Sequence, residues 1–222
     1  VAIDILGPLR ISRRGHRYIL VISDYFTKWV EAFPMASQEA PEVVTKLCEE
    51  FVCRFGVPSE LHSDQGRNFE SLVMTQMCEL LGIRKTRTTP FRPQSDGMVE
   101  RFNRTLAEIL TKVIERSQEN WDDCLPYVML AYRTSVQSPT GFSPASVLLG
   151  LEPRLPLDLM VPSLPMEEVM YGEFVTNHKE YLEIVRDEVG VNLREIGRKM
   201  KARFDVGINQ PDVLVGDRVW VL

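Results

Sequence analysis

Three acidic residues in this sequence have the chemistry and the spacing to hold divalent metal ions. Asp4 lies in VAIDILGP, Asp64 in LHSDQGRNF and Glu100 in DGMVERFNRTL, and 35 residues separate the last two. Carboxylate oxygens are the ligands that Mg²⁺ and Mn²⁺ prefer. Two such ions about 3.5–4 Å apart can activate a water or a 3′-hydroxyl and stabilise the leaving oxygen of an in-line phosphoryl displacement. We therefore take Asp4, Asp64 and Glu100 as candidate metal ligands and catalytic residues, with Asp4 bridging two ions.

Each of these acidic residues also has a simpler interpretation. Taken alone, an Asp or Glu is most often a solvated surface charge. Brought together without a metal, however, three carboxylates would repel one another and raise one another's pKa values. A cluster of this kind therefore makes sense as a metal site and makes little sense as a structural feature.

Repeated apolar runs supply the elements that must position these residues. Apolar, β-branched and aromatic residues predict three antiparallel strands at 1–6, 17–23 and 28–34. The later patterns alternate as helix 41–55, strand 58–62, helix 69–81 and strand 83–88, followed by a Pro- and Ser-containing loop at 88–97 and a helix at 98–116. This alternation indicates an α/β fold. It sets Asp4 and Asp64 at strand ends, where α/β sheets form their sites, and Glu100 on a nearby helix.

Composition limits the class of protein. The 222 residues are 44% apolar and carry a net charge of −5, which suits a globular core and argues against a protein that coats nucleic acid through bulk positive charge. Any nucleic-acid contact must therefore be local. The cysteines form no CxxC pair and the histidines have no ligand spacing, so we expect no structural zinc site. No apolar run approaches the roughly 20 residues of a membrane span, and we expect no membrane partner. Because the chain opens inside a strand, we expect it to be a piece of a longer protein.

One stretch of the chain is locally basic. Residues 84–104 hold six basic and two acidic residues, a local charge of +4, and this stretch is our predicted DNA track. Within it we take Arg92, Arg101 and Arg104 as candidate DNA contacts. Arg104 lies four residues after Glu100, so helical spacing brings it close enough to meet a phosphate near the metal ions. An exposed Arg on a solvated helix face is the alternative.

Three polar residues near the acidic positions are further candidates for DNA contact. Gln94 and Ser95 lie in the loop before Glu100, where short polar side chains could meet a DNA end, and ordinary loop solvation is the alternative. Asn68 follows Asp64 by four residues at the predicted start of a helix. For Asn68 we favour the role of helix N-cap over that of a DNA contact.

Four segments together resemble a known family. VAIDILGP, HSDQGRNFES, PQSDGMVERFNRTL and SPTGFSPASVLLG occur in the order and at the separations of the integrase core of gypsy-type LTR retrotransposons and retroviruses. The resemblance is strong over roughly residues 1–150. It implies an RNase H-like fold, a five-stranded mixed sheet with helices on both faces, and it matches Asp4, Asp64 and Glu100 to the family's catalytic triad.

The same resemblance implies a division of the chain. Residues 1–152 would form the catalytic core and 153–167 a Pro-rich connector. Residues 168–206 would form a linker helix, and 207–222 the start of a small β-barrel. The apolar stripe of the linker helix, from Val175 to Phe204, could pack within the chain or pair with another chain.

Three functions remain open at this point. The first is a polynucleotidyl transferase that trims the 3′ ends of element DNA and joins them to target DNA in the nucleus, working as a homo-oligomer. The second is a host-captured integrase core that has lost activity and serves as a DNA- or protein-binding module. The third is another RNase H-like nuclease, such as an RNA–DNA hybrid hydrolase. The Pro-Gln-Ser loop and the SPTGFSP segment favour the integrase. RKMKAR at 198–203 is basic, but we interpret it as a solvated helix face and not as an import signal.

Overall fold

Strand β1 (Ala2–Leu6) lies at the centre of a five-stranded mixed sheet. On one side it pairs antiparallel with β2 (Tyr18–Ser23), which pairs antiparallel with β3 (Val30–Met35). On the other side it pairs parallel with β4 (Glu60–Ser63), which pairs parallel with β5 (Arg84–Arg87). The strand order is β3-β2-β1-β4-β5. The predicted antiparallel start and the predicted mixed sheet are both confirmed.

Helices connect and flank these strands. The computed structural model describes residues 1–88, 97–113, 120–156, 158 and 171–205. Helix α1 (Ala40–Lys46) passes through a π-helical turn (Leu47–Val52) into α2 (Cys53–Phe55). The remaining helices of the described ranges are α3 (Leu72–Leu81), α4 (Gly97–Val113), α5 (Trp121–Thr134), α6 (Pro144–Leu149) and α7 (Tyr171–Asp205).

The alternation of side chains along the strands separates two apolar layers. On β2, Leu20 and Ile22 pack with the residues of α1 and α3, whereas Ile19 and Val21 pack with α4 and α5. On β1, Ile3 belongs to the first layer and Ala2 to the second. Helices therefore cover both faces of the sheet, and even-numbered positions of β1 lie on the face that α4 covers.

Helix α3 begins later than the sequence predicts. Its N-cap is Ser71, whose Oγ accepts a hydrogen bond from Met74 N at 3.3 Å, so the prediction that Asn68 caps this helix is wrong. The reason is a turn before the helix, in which the backbone N–H of Phe69 donates to the carbonyl of Gly66 at 2.9 Å. This turn buries the Phe69 side chain in the core and delays the first helical residue to Leu72.

The long C-terminal helix packs on the core through its middle. Val185 and Val189 are buried against Val147 of α6, so this part of the apolar stripe packs within the chain. The predicted barrel segment 207–222 and most of the predicted connector 153–167 lie outside the described residues. The predicted domain limits therefore stay predictions. No helix in the described ranges is both long and apolar enough to cross a membrane.

A buried carboxylate ties the loop between β1 and β2 to the start of α5. The Asp122 side chain is 1% exposed, and its Oδ2 accepts hydrogen bonds from Ser12 Oγ at 2.8 Å and His16 Nδ1 at 2.7 Å. Burial alone would raise the pKa of Asp122, but the bonds from His16 and Ser12 outweigh it and the pKa lies below its ordinary value. Its neighbour Asp123 is 48% exposed and pairs only with Arg14 at the surface, at 2.6 Å, among the contacts described for it.

We expect Asp122→Ala to lower the free energy of unfolding by about 2 kcal/mol at neutral pH, because buried Ser12 and half-buried His16 lose their acceptor. A group with a lowered folded-state pKa stabilises the fold above its unfolded pKa and loses that effect as the pH falls through the folded pKa. The difference in the free energy of unfolding between wild type and variant should therefore reach its full size above about pH 5 and shrink below about pH 4.

Urea unfolding at several pH values measures this difference, with Asp123→Ala as the matched control. The control should cost less than about 1 kcal/mol, because an exposed ion pair contributes little. Equal losses in the two variants would contradict the assignment of Asp122 as the anchor.

Candidate active site

The register of the parallel pair of strands aligns Asp4 with Asp64. β1 and β4 match Ala2 with His62, and the same register continued two residues along each chain would set Asp4 beside Asp64, the residue that follows β4. Neighbouring strands are about 4.7–4.9 Å apart, a distance that two carboxylates can bridge through shared metal ions. The sequence prediction that these two carboxylates converge is consistent with this register.

The position of Asp4 within its strand differs from the prediction. Asp4 is the third of the five residues of β1 and does not lie at a strand end. The reason is that β2 pairs with β1 as far as Leu6, whereas β4 stops at Ser63. Asp64 therefore follows the last residue of β4, and Asp4 lies where β1 extends past its parallel neighbour.

Two hydrogen bonds from the described residues orient the Asp4 carboxylate. Its Oδ1 accepts from the backbone N–H of Ile5 at 2.7 Å, and its Oδ2 accepts from Asn103 Nδ2 at 2.6 Å. Asn103 is buried on α4. This charge-assisted bond joins the helix to the central strand and fixes the orientation of the Asp4 carboxylate.

Glu100 enters the site through the same helix. It lies three residues before Asn103, close to one helical turn, and positions three apart share a side of a helix. The backbone of Glu100 therefore lies on the side of α4 that contacts Asp4. The side chains of Glu100 and Arg101 are outside the described part of the chain.

Asp64 is exposed and is oriented by a local turn. Its Oδ1 accepts a hydrogen bond from Gly66 N at 2.8 Å. A Cβ at Gly66 would lie 2.8 Å from the same Oδ1, so only glycine allows this close approach without a shift. The adjacent Gln65 donates from Nε2 to the carbonyl of Thr88 at 2.8 Å. This bond links the Asp64 turn to the residue that follows β5.

Asn103 is the residue that the sequence analysis missed. It lies inside the quoted motif VERFNRTL, but nothing in the spacing distinguishes it from the exposed polar residues around it. A signal was available in the helical pattern, because Asn103 adjoins Phe102 and precedes Leu106 by three positions, and both are buried. A polar residue on the buried side of an amphipathic helix usually has a specific partner.

The described oxygen atoms suit a hard divalent cation. Asp4 and Asp64 supply carboxylates, and the buried Oδ1 of Asn103 has no hydrogen-bond partner within the described part of the chain. Oxygen donors of this kind are the ligands that Mg²⁺ and Mn²⁺ prefer. Among the described side chains, no three His, Cys, Asp or Glu residues lie close enough together to hold a metal ion. The Glu100 side chain is outside the described part of the chain. Asp4, Asp64 and Glu100 therefore remain the candidate ligands.

The basic track is weaker than its sequence indicates. Lys85 Nζ lies 2.5 Å and Arg87 Nη1 3.2 Å from the carboxylate of Glu70, and Arg84 pairs with Glu60. The hydrogen bond from Lys85 holds the pKa of Glu70 below its ordinary value, so Glu70 stays charged. The local charge of +4 counts only residues 84–104 and so does not include these acidic partners. Glu60 reaches the basic residues through strand pairing, and Glu70 reaches them from the turn before α3.

The remaining candidates are placed only in part. Arg104 is exposed on α4, beside buried Asn103. Asn68 is half-buried, and its carbonyl accepts from Ser71 Oγ at 2.9 Å. Arg92, Gln94 and Ser95 lie outside the described residues. Their roles in DNA binding stay predictions.

Known proteins resemble this chain in sequence. Residues 1–93 match the family model of the integrase core domain. The chain is 35% identical over 212 residues to the Pol polyprotein of Radiation murine leukemia virus (strain Kaplan), across 93% of this chain and 35% of that protein. It is 37% identical over 216 residues to the Gag-Pol polyprotein of Koala retrovirus, across 95% of this chain and 12% of that protein. The chain thus spans about a third or less of the length of these curated relatives.

Two solved structures share the fold. The cryo-EM structure of the simian T-cell lymphotropic virus intasome in complex with PP2A regulatory subunit B56 gamma matches with a TM-score of 0.57 and 24% identity, over 76% of this chain and 58% of that chain. The crystal structure of the catalytic core domain of BIV integrase matches with a TM-score of 0.52 and 25% identity, over 67% of this chain and 92% of that chain. The predicted RNase H-like fold is confirmed by these two matches.

We expect Asn103→Asp to destabilise the fold in the presence of EDTA by about 2 kcal/mol, because the new carboxylate would lie against Asp4 and leave both charges poorly compensated. Added Mn²⁺ should recover much of that loss, because a cation held by Asp4 would screen the repulsion.

Asn103→Leu is the matched control, since it removes the hydrogen bond at similar volume without adding charge. Urea unfolding of both variants and the wild type, each in EDTA and in Mn²⁺, makes the comparison. If Mn²⁺ stabilises the three proteins equally, Asp4 does not lie at a cation site.

Proposed function

We propose that this chain is a metal-dependent polynucleotidyl transferase acting on DNA. The premise is that it carries an integrase core domain related to those of retroviral Pol polyproteins. Its substrates are the ends of an element's DNA and a target DNA. Water first cleaves a phosphodiester near each 3′ end. The freed 3′-hydroxyl then attacks a phosphorus of the target strand.

The observation that carries this proposal is the hydrogen bond that joins α4 to the central strand at Asp4. Register brings Asp4 of β1 beside Asp64 after β4, and the bond from Asn103 Nδ2 to Asp4 Oδ2 at 2.6 Å brings the helix of Glu100 to the same side of the sheet. Three carboxylate-bearing positions contributed by separate parts of the chain, 60 and 36 positions apart, have no structural reason to meet. A shared ligand for divalent cations gives them one.

Asp4, Asp64 and Glu100 would hold the ions, and Asp4 would bridge them. Bound there, two Mg²⁺ or Mn²⁺ ions supply activation of the attacking oxygen and stabilisation of the leaving oxygen. In the joining step the 3′ oxygen forms a new bond to phosphorus, the bond from that phosphorus to the target's 3′ oxygen breaks, and the attacking hydroxyl's proton passes to the leaving oxygen or to solvent. The step is an exchange of one phosphodiester for another and needs no nucleotide cofactor.

The remaining groups position the reactants. Asn103 keeps the Asp4 carboxylate in one orientation, and the Gly66 N–H does the same for Asp64. Arg104, which is exposed on α4 next to Asn103, would contact a phosphate of the bound strand. We also propose that Arg92, Gln94, Ser95, Arg101 and Asn68 contact DNA, that copies of the chain assemble on it, and that the reaction takes place in the nucleus. The intasome among the structural relatives supports DNA binding and the assembly of copies.

A branched DNA tests the chemistry separately from assembly. A duplex that already carries the joined junction presents both strands to one site, so the reverse of strand transfer requires no pairing of two DNA ends. We expect the chain to resolve this substrate in Mn²⁺, and we expect Asp64→Asn and Glu100→Gln each to slow resolution by more than about 100-fold, because each removes a ligand charge.

Glu108→Gln is the matched control, since Glu108 is exposed two turns further along α4 and the change removes the same charge. It should resolve the junction at the wild-type rate. Full activity of Asp64→Asn would contradict the proposal. Hydrolysis without rejoining would favour a hybrid nuclease, and binding of DNA without any reaction would favour the captured, inactive core.

A further inference from the structure

The loop between β1 and β2 concentrates basic residues that the candidate active site does not use. Residues 7–17 contain arginines at positions 10, 13, 14 and 17 and no acidic residue. All four arginines are exposed. With His16 neutral, the loop carries a charge of +4 in a chain whose net charge is −5. A patch of this kind attracts a polyanion.

Hydrogen bonds tie this loop to α5. Buried Asp122 accepts from Ser12 Oγ at 2.8 Å, and Ser12 Oγ accepts in turn from the backbone N–H of His16 at 3.1 Å. The indole N–H of Trp121 donates to the carbonyl of Arg10 at 2.8 Å. The arginine side chains therefore extend from a backbone that is already fixed before a ligand binds.

The loop leaves the sheet at the same edge as the candidate metal ligands. It follows the last residue of β1, and Asp64 follows the last residue of β4, which is parallel to β1. Leu9 of the loop packs in the apolar layer beneath α4 and α5, on the face of the sheet that carries Asp4. Leu9 is five residues beyond Asp4, so the two lie within about 17 Å. That distance corresponds to about five base pairs of duplex.

Two of the loop's arginines have no competing carboxylate. Every cation of β5 lies against a glutamate, and Arg14 of the loop pairs with exposed Asp123 at 2.6 Å. Arg13 and Arg17 have no carboxylate partner among the residues that the structure describes. A guanidinium in this state can bind a phosphate without first giving up another partner.

We propose that the β1–β2 loop binds the phosphate backbone of the DNA on which the active site acts, with Arg13 and Arg17 each contacting one phosphate. The identity of this polyanion rests on the proposed function, but the binding surface lies outside the predicted track 84–104. Phosphate contacts fix the register of a duplex and carry no sequence information. The loop would therefore position the reacting phosphodiester at the carboxylates. The phosphates belong either to the element's end or to the target, since both duplexes meet at the site.

The salt dependence of DNA binding tests these contacts. Fluorescence anisotropy of the full chain with a labelled branched duplex, in EDTA so that no reaction occurs, measures the association constant at several salt concentrations. Each phosphate contact contributes about −0.9 to the slope of log K against log salt concentration. Arg13→Gln with Arg17→Gln should therefore make the slope shallower by about 1.8 and weaken binding at least about tenfold near 0.1 M salt. Arg13→Lys with Arg17→Lys should retain most of the slope, because the charges remain.

Arg154→Gln with Arg186→Gln is the matched control, since it removes two exposed arginines from another part of the surface. Arg154 follows α6, and Arg186 adjoins the part of α7 that packs on α6. Leu148 of α6 lines a groove with Val1, at the opposite edge of the sheet from the β1–β2 loop. The control should bind DNA with the wild-type slope, and circular dichroism should show that every variant is folded.

Shortened substrates identify the source of the phosphates. Either the element arm or the target arms of the branched duplex are reduced to the base pairs next to the junction. The arm whose shortening removes the difference between wild type and the double Gln variant is the one that the loop contacts. Wild-type affinity and slope in the double Gln variant would overturn the proposal and would leave the loop to an acidic polypeptide.

Resolution of the same branched DNA in Mn²⁺ reports separately on the proposed chemistry. The double Gln variant keeps Asp4, Asp64 and Glu100, so at saturating DNA it should resolve the junction at the wild-type rate. Binding that depends on the loop without any resolution would support this surface and contradict the proposed reaction.

Discussion

The pairing of β1 with two different neighbours is the constraint on which the rest of the structure depends. Its antiparallel partner β2 fixes the face to which each side chain of β1 belongs, and its parallel partner β4 brings Asp64 alongside. Because side chains alternate along a strand, a slip of one residue would move Asp4 from the α4 face to the face that α1 and α3 fill. The buried positions Ala2 and Ile3, on opposite faces, prevent that slip. The packing of the core thus sets the position of the chemistry.

The Asp4–Asn103 hydrogen bond shows how a stable fold accommodates a charged site. A half-buried carboxylate beside an apolar helix face is unfavourable unless it is paired. Asn103 supplies the donor and leaves the negative charge of Asp4 in place. An Arg or Lys at that position would neutralise the charge. The carboxylate therefore keeps its full charge for a cation. Asn103 Oδ1 has no hydrogen-bond partner among the described residues, and natural proteins tolerate such unpaired polar atoms at functional sites.

Sequence patterns predicted what depends on local periodicity and composition. The three antiparallel strands, the alternation of helix and strand, and the three carboxylates all follow from patterns within short windows of the chain. Most of the errors involve residues brought together by tertiary contacts. Asp4 lies in mid-strand because β2 extends β1, and the three cations of β5 pair with two carboxylates, Glu60 and Glu70, from other elements. The helical pattern marks Asn103 only as a polar residue on a buried helix face, because its partner is on a strand almost 100 positions away. The Asn68 cap failed because a turn at Gly66 moved the helix start.

The central claim is that register and helix packing build one cation site from Asp4, Asp64 and Glu100. The most direct test is a crystal structure with Mn²⁺, in which anomalous scattering locates the ion without reference to activity. We expect the strongest peak between the carboxylates of Asp4 and Asp64, with Glu100 completing the ligand set, and we expect that peak to disappear in crystals of Asp64→Asn. A strongest peak elsewhere, for instance at Glu60 or Glu70, or an unchanged peak in the variant, would contradict the account.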